Sequence, residues 1–292
     1  MILRSRDPRD APHIVQRICG VCPVAHGMAS MFCLEDAFGI KPPSNGRILR
    51  NLIQGANFLQ SHILHFYHLA GLDYVQGPET APFVPRYEGD YRLPKRLNDK
   101  VVEHYLQALD IRKKTQEMLA VFGAKMPHVT VFTPGGITEK VTVDRILRYK
   151  QYLLEITSFI DNVYLPDVLA VADAYGDEWF KRGVGCKNML AYGGFRLTDE
   201  DDPQGQKQLF RRGCYTQGQF APVDHTKITE DVKYSRFDNS TAGRYPGEGE
   251  TVPDPRKKDA YSWLKAPRYQ NEPFEVGPLA EMLNHRASQM PN

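Results

Sequence analysis

Residues 45–70 carry a helical periodicity that constrains the fold more than any other feature of the sequence. Apolar side chains recur there at steps of three and four, which places them on one face of a helix. These positions are Ile48, Leu52, Ala56, Leu59, Ile63, Phe66 and Ala70. Ser44 is suited to cap the first turn, and Gly71 to end the last one. A helix of this length needs other elements to cover its apolar face, so it predicts an assembly of helices.

Several further segments predict helices of ordinary length. The first runs from Pro23 to near Gly39, the second from Asn98 or Asp99 to Phe122, and the third from Thr142 to about Tyr164. Pro166 either kinks the third helix or begins a new one. A short helix is predicted over residues 227–237, and the final stretch from residue 261 is predicted as an ordered loop that leads into a last helix. Residues 183–222 are rich in glycine and predict short strands, whereas residues 1–16 and 77–94 are irregular. Without repeats or βαβ alternation, the fold class is mainly α: a helix bundle with small β pieces, predicted as a single domain over 1–292.

The balance of charge excludes one large class of partner. Lys and Arg number 37 and Asp and Glu 35, so the net charge of +2 provides no basic face for nucleic acid. The 41% of hydrophobic residues is enough for a packed core. No apolar run approaches the roughly 18 residues of a membrane-spanning helix, and the first ten residues lack the core of a secretory signal. We therefore expect no nucleic-acid partner and no direct membrane span.

The cysteines predict reduced thiols rather than a disulfide framework. An odd and sparse set is untypical of disulfide-stabilised domains. The five are Cys19, Cys22, Cys33, Cys186 and Cys214. Cys19 and Cys22 alone are close in sequence, which makes this pair a candidate for metal or redox chemistry.

Two thiolates spaced C-x-x-C can converge on one metal ion. Gly20 allows the backbone to turn between Cys19 and Cys22. Pro23 suits the first turn of the following helix, whose N-terminus stabilises thiolates. His26 lies one helical turn past Cys22 and can therefore reach a ligating sulfur. Sulfur ligands favour nickel, iron, zinc or copper(I) over magnesium or calcium.

Three other interpretations of the C-x-x-C pair stay open. A structural zinc site would need two more ligands, and the other cysteines are scattered. A thioredoxin-like dithiol would need a βαβ setting, which the sequence does not show. An inert buried pair is the third alternative. The flanking Arg17 and His26 favour the metal interpretation.

Three histidines on the long helix form a weaker candidate site. His62, His65 and His68 spread over about a third of the helix circumference and could bind a metal. Large apolar residues surround them in the sequence, however, so we expect packed, hydrogen-bonded histidines instead.

The tetrapeptide Lys265-Ala266-Pro267-Arg268 is a third candidate. Pro267 fixes the backbone just before Arg268, and could hold its guanidinium rigidly over a reaction centre. A surface arginine is the alternative, which the tetrapeptide alone does not exclude.

Four segments, taken together and in order, resemble the nickel-dependent hydrogenase large-subunit family. They are RDPRDAPHIVQRICGVCPVAHGMAS, NLIQGANFLQSHILHFYHLAGLDYV, KMPHVTVFTPGGIT and YSWLKAPRY with the following EVGPLA. The first contains the cysteine pair, and the last contains the arginine motif. The resemblance spans nearly the whole chain.

That resemblance implies a role for each candidate residue. Cys19 would be a terminal nickel ligand, and Cys22 would bridge nickel and iron. His26 would donate a hydrogen bond to a bridging sulfur. Arg268 would lie above the metals, where dihydrogen is cleaved. The remaining two motif residues, Ala266 and Pro267, would line the pocket for the diatomic ligands.

The resemblance also implies the surroundings of the site. The iron of a nickel–iron centre would carry CO and cyanide, and dihydrogen would be oxidised in an uptake-type anaerobic metabolism. Electrons would leave through a small iron–sulfur subunit, and maturation chaperones and nickel-insertion proteins would assemble the centre. Partner subunits would hold the protein at a membrane. We expect the periplasmic side, with the cytoplasm as the alternative.

Two features of the family have no counterpart in these 292 residues. One is a second C-x-x-C followed by His, which supplies the other two cysteine ligands. The other is a strand-rich segment with a Glu for proton transfer and a Glu for magnesium. We therefore expect an internal part of a large subunit, with the remaining nickel, iron and magnesium ligands outside it. The alternatives are a non-catalytic scaffold or assembly subunit, and a C-x-x-C redox protein.

Overall fold

The computed structural model describes residues 2–86, 88–200, 202 and 204–289. The chain divides into two compact units, Met1–Arg182 and Gly183–Asn292. Helices dominate the first unit and short strands the second, which confirms a mainly α fold with small β pieces. The single domain that the sequence predicts over both units stays a prediction.

The first unit begins with short helical turns that the sequence did not predict. Helix α1 (Ala11–Val15) lies between two 3-10 turns, Pro8–Asp10 and Gln16–Ile18. The expectation of an irregular segment is wrong here because Asp7 caps the first turn, accepting from the Arg9 amide at 2.9 Å.

Helix α2 (Pro23–Phe38) has the predicted bounds, and Gly39 follows it in the left-handed conformation at φ 65°. That backbone conformation is one that glycine adopts without steric strain, so the residue ends the helix as expected.

Helix α3 (Ser44–Ile63) continues through π-helical turns over Leu64–Ala70 and a 3-10 turn over Gly71–Asp73. The predicted cap at Ser44 is wrong, because the extended Pro43 precedes the helix and Ser44 is its first residue. The predicted end at Ala70 is confirmed, because Gly71 is the C-cap of the π-helical segment, although it keeps a right-handed φ of −57° and begins the 3-10 turn. A side chain there would meet the Phe66 carbonyl at 2.9 Å, so its small size allows close approach at this helix end.

Helix α4 (Lys95–Gly123) begins before the predicted caps, Asn98 and Asp99. Asn98 is buried within the helix. Its side chain accepts from the Gln76 amide at 2.7 Å and donates to the Gln76 carbonyl at 2.8 Å. The residue therefore binds the preceding loop instead of capping the helix.

Helix α5 (Val143–Phe159) begins as predicted, because the Thr142 side chain accepts from the Arg145 amide. A π-helical segment, Ile160–Tyr164, joins it to α6 (Leu165–Trp179). Pro166 lies in the first turn of α6, so the alternative of a new helix at this proline is confirmed.

The core of the first unit is one connected cluster of buried apolar side chains from α2, α3, α4 and α5. Not every predicted core position belongs to it. Ile48, for example, is 46% exposed, while its neighbour Leu49 is buried. Two short strands of this unit, β1 (Phe132–Thr133) and β2 (Gly136–Ile137), form an antiparallel hairpin.

A buried ion pair attaches this hairpin to the helices. Arg50 on α3 and Glu35 on α2 approach to 2.7 Å, with both side chains almost fully buried. Arg50 also donates to the carbonyls of Thr133 and Gly136, and Glu35 accepts from the Gly135 amide. The two charged side chains therefore connect α2, α3 and the β1–β2 hairpin.

Among its described residues, the second unit contains three small antiparallel sheets, one α-helix and two 3-10 turns, His225–Lys227 and Asn239–Thr241. The first sheet has the strand order β3 (Met189–Ala191), β6 (Gly213–Thr216), β7 (Gln219–Ala221). The second pairs β4 (Gly194–Arg196) with β5 (Gln208–Phe210), and the third pairs β8 (Ile228–Asp231) with β9 (Ala266–Tyr269). The helix is α7 (Pro278–Ala287). The short strands predicted over residues 183–222 and the last helix are confirmed.

The helix predicted over residues 227–237 is wrong. Strand β8 occupies its first part because its backbone groups pair with β9, nearly forty residues later in the chain. Part of the predicted loop over 261–275 is accordingly strand β9. Within the described ranges, no helix is both long and apolar enough to cross a membrane.

Candidate metal centre

The loop between Cys19 and Cys22 lies at the N-terminus of α2. Cys19 is extended at φ −138° and ψ 135°, after the 3-10 turn, and Cys22 precedes the first helical residue, Pro23. The backbone amides of Val21 and Cys22 donate to the Cys19 sulfur, at 3.4 and 3.2 Å. The predicted turn therefore brings polar hydrogens onto the first thiol of the pair.

The two thiols differ in their electrostatic environment. The pKa of Cys19 is lowered because the Cys22 side chain and the nearby amides hydrogen-bond to its sulfur. Burial, and the interaction with Cys19, raise the pKa of Cys22 to about 11. Without a metal, Cys19 therefore loses its proton more readily than Cys22.

His26 and Arg17 flank this loop as the sequence indicates. His26 is half-buried on α2, one turn after Cys22. Arg17 is exposed, and its guanidinium donates to the His13 carbonyl in the helical turn before it. The hydrogen bond expected from His26 to a sulfur stays a prediction.

Two buried glutamines, which sequence reasoning missed, fix the segment around the loop. Gln60 on α3 donates to the Val21 carbonyl at 2.8 Å. Gln16 donates to the carbonyls of Pro12 and Val129, at 3.0 Å each. The carbonyls of Val21 and Val129 lie far from their glutamines in sequence, so no local pattern identifies these residues.

The arginine motif lies on strand β9 in the second unit. Arg268 pairs with Thr229 of β8, and Pro267 with Glu230. The preceding Lys265 donates to the Glu230 carboxylate at 2.5 Å, and so attaches the start of β9 to β8. Ala266 and Arg268 are half-buried, and Pro267 is exposed. Because the cysteine pair belongs to the first unit, the convergence of Arg268 with the thiols stays a prediction.

The three histidines on and beyond α3 have different environments. His68 is half-buried, and its Nε2 lies 3.2 Å from the Tyr105 carbonyl. His62 and His65 are exposed. The expectation of a packed, hydrogen-bonded histidine is therefore right for His68. The expectation of packing is wrong for His62 and His65. The helix turns them outward because Ile63, Leu64 and Tyr67 occupy its buried face.

The donor set of the cysteine loop fits part of a soft-metal site. Two sulfur atoms at a helix N-terminus, with amide donors onto one of them, suit a thiolate-binding metal such as nickel, iron, zinc or copper(I). Across the described residues, no three or more His, Cys, Asp or Glu side chains are arranged to bind a metal. The described residues would thus contribute two thiolate ligands rather than a complete set.

Comparison with known proteins gives a consistent result. A family model described as nickel-dependent hydrogenase matches residues 1–78 and 75–292. The periplasmic [NiFeSe] hydrogenase large subunit of Desulfomicrobium baculatum is 48% identical over 291 residues, which cover 96% of this chain and 56% of that protein. The hydrogenase-1 large chain of Escherichia coli (strain K12) is 31% identical, over 97% of this chain and 60% of its own length.

The fold is similar to that of solved structures as well. The Ni-Fe-Se hydrogenase from D. vulgaris Hildenborough, in the as-isolated oxidized state, superimposes with a TM-score of 0.91 at 51% identity. The match covers 97% of this chain and 58% of that one. The chain therefore spans somewhat more than half the length of the proteins that it matches.

Proposed function

The chain belongs to the nickel-dependent hydrogenase family, and we propose that it forms the part of a catalytic large subunit in which Cys19 and Cys22 bind a nickel–iron centre. The reaction would be the reversible heterolytic cleavage of dihydrogen, of the uptake type. The observation that carries this proposal is the thiol pair at the start of α2, with two amides donating to Cys19. It is an arrangement for sulfur ligands, inside a fold shared with hydrogenases.

Each residue of the loop would have one task. Cys19 would be a terminal ligand of nickel, and its amide contacts support the thiolate form that a metal requires. Cys22 would bridge nickel and iron, and would lose its proton on binding. His26 would donate to a bridging sulfur, for which its place one turn after Cys22 is suitable.

When bound, the nickel–iron centre would supply the Lewis acidity that polarises dihydrogen. Arg268 would present its positive charge near the reacting molecule from strand β9, whose pairing with β8 fixes the backbone. Ala266 and Pro267 would line the pocket for CO and cyanide on the iron. The other two cysteine ligands and the magnesium ligands would come from outside the described residues.

The proposal includes partners and a location. Electrons would pass to a small iron–sulfur subunit, and maturation chaperones and nickel-insertion proteins would build the centre. The relative from D. baculatum is a periplasmic enzyme by name. We place this protein on the periplasmic side, attached to the membrane through its partner subunits.

Serine substitution of single cysteines tests the proposal. Each variant, Cys19→Ser or Cys22→Ser, is made in the complete large subunit and purified with its small subunit. Each should lose most of the bound nickel. The nickel content per chain is measured by elemental mass spectrometry. Cys33→Ser is the matched control, because Cys33 is an exposed thiol later on the same helix. Nickel retained in both loop variants would contradict the assignment of ligands.

A further inference from the structure

The peptide group that joins Val21 to Cys22 is held at both ends. Its carbonyl, on Val21, accepts from Gln60 Nε2 at 2.8 Å. Its N–H, on Cys22, donates to Cys19 Sγ at 3.2 Å. A trans peptide is planar, so its C=O and N–H point in opposite directions. An orientation fixed at the carbonyl therefore also fixes the direction of the N–H.

Packing holds this part of the loop only in part. Val21 is 38% exposed. A Cβ added to Gly20 would meet no atom of the described residues within 4 Å beyond its chain neighbours. The hydrogen bonds at the two ends of the peptide therefore contribute to its orientation.

Gln60 is suited to this task by its rigid surroundings. It is fully buried on α3, a helix whose apolar face belongs to the core of the unit. Its Nε2 also lies 2.9 Å from Ser61 Oγ, which limits rotation of the amide. Its Oε1 is buried with no hydrogen-bond partner among the described residues. Burying this oxygen is unfavourable, and an apolar side chain would avoid that cost. The amide donor is the feature that an apolar side chain would not supply.

We propose that Gln60 is a positioning residue for the thiol pair, acting through the Val21–Cys22 peptide on Cys19 Sγ. It keeps the Cys22 amide directed at this sulfur, and so sets both the place and the electron density of the first ligand. The effect on a metal rests on the proposed function. The effect on the peptide rests on the geometry of the loop alone.

Two substitutions at Gln60 and a matched control test this role in the complete subunit with its partner. Gln60→Met and Gln60→Leu each remove the amide, so that neither side chain can donate to the Val21 carbonyl. Asn284→Leu makes the same kind of change at a fully buried amide on α7 of the second unit, which donates to the carbonyls of Met189 and Ala280 and not to Val21. The measurements are the rate of nickel loss to a chelator, the CO and cyanide infrared bands, and the melting temperature.

Both Gln60 variants should lose nickel about 10-fold to 100-fold faster than the parent, the range found when partners of metal ligands are removed. Their infrared bands should also shift. Asn284→Leu should also lower the melting temperature, but keep the nickel loss rate near that of the parent. Nickel loss at the parental rate in the Gln60 variants, or equal loss in Asn284→Leu, would overturn the positioning role while leaving the proposed function intact. A parent protein without nickel would instead overturn the proposed function.

Amide hydrogen exchange in the parent protein gives a second measurement that needs no variant to fold. The Cys22 amide should exchange at least about tenfold more slowly than an unprotected amide, because it is held onto sulfur. Exchange of this amide at the unprotected rate would overturn the positioning role.

Discussion

The two units are stabilised in different ways. Twenty-one of the described residues form the buried apolar cluster of the first unit, most of them on long helices. The corresponding cluster of the second unit contains four: Leu190, Cys214, Val223 and Tyr269. Its loops depend instead on polar contacts, such as those of Lys257 and Lys265.

Each unit contains one of the two predicted motifs, so this difference applies to the cysteine loop and the arginine motif separately. The cysteine loop directly precedes a helix whose position is set by a large core, and hydrogen bonds orient the peptide within the loop. The arginine motif lies on a two-stranded sheet, where a few hydrogen bonds and one ion pair fix the backbone. Substitutions in the two units should therefore affect stability by different mechanisms, and three variants test this contrast.

The largest effect is expected from a cavity in the first unit. Phe122 is fully buried, and its ring lies 5.5 Å from that of Tyr149. Phe122→Ala should lower the free energy of unfolding by about 3–5 kcal/mol, because it removes apolar contacts and leaves a cavity. The free energy of unfolding is measured by urea denaturation, monitored by the circular dichroism signal of the helices. Phe38→Ala, at a 45% exposed position, should change it by less than about 0.5 kcal/mol. Similar losses in both variants would contradict a packed core.

A smaller effect is expected from a polar contact in the second unit. The Lys257 ammonium donates to the carbonyls of Val232 and Phe237, and to the Asn239 side chain, at 2.6–2.8 Å. Lys257→Met should cost about 2 kcal/mol, since it removes charged donors from these oxygens. The loop over 232–239 should become more sensitive to limited proteolysis. The exposed neighbour supplies the control, Lys258→Met, which should be cleaved like the parent.

The smallest effect is a dependence on pH in the second unit. Burial raises the pKa of the Glu281 carboxyl above its ordinary value of 4.5. The folded state therefore binds this proton more tightly than the unfolded state does. The resulting contribution to stability is present below pH 4.5, and is lost as the pH rises through the raised pKa.

Glu281→Gln should accordingly be slightly more stable than the parent at neutral pH, with a shallower fall in stability above pH 4.5. Thermal unfolding across pH 4–8 measures the difference. Glu272→Gln, at an exposed position of the same unit, controls for the change in net charge. A steeper fall in Glu281→Gln than in the parent would show that burial does not govern this carboxyl.

Local signals in the sequence were sufficient for part of the fold. The bounds of α2 follow from Pro23 and Gly39, and the start of α5 from Thr142, because each acts on its own helix end. Asn98 looked equally suitable as a cap, but its partner is the backbone of Gln76, twenty-two residues earlier. The predicted helix after residue 227 failed for a similar reason, since pairing with a distant strand outweighed local preference.

The candidate site was predictable to the same extent. The spacing of Cys19 and Cys22, and the helix that follows, identified the thiol pair. The tetrapeptide around Pro267 identified Arg268 as a candidate and the resemblance gave it a role, but no local pattern showed its place on a strand. Gln60 could not be found, because the carbonyl that it binds lies thirty-nine residues away and carries no side-chain signal.

The most direct test of the central claim, that the thiol pair binds a nickel–iron centre, is infrared spectroscopy of the complete large subunit purified with its partner, with nickel and iron counted per chain. We expect absorption bands in the CO and cyanide stretching region, with one nickel and one iron in the large subunit. Preparations of the mature complex that lack both the bands and the nickel would contradict the claim.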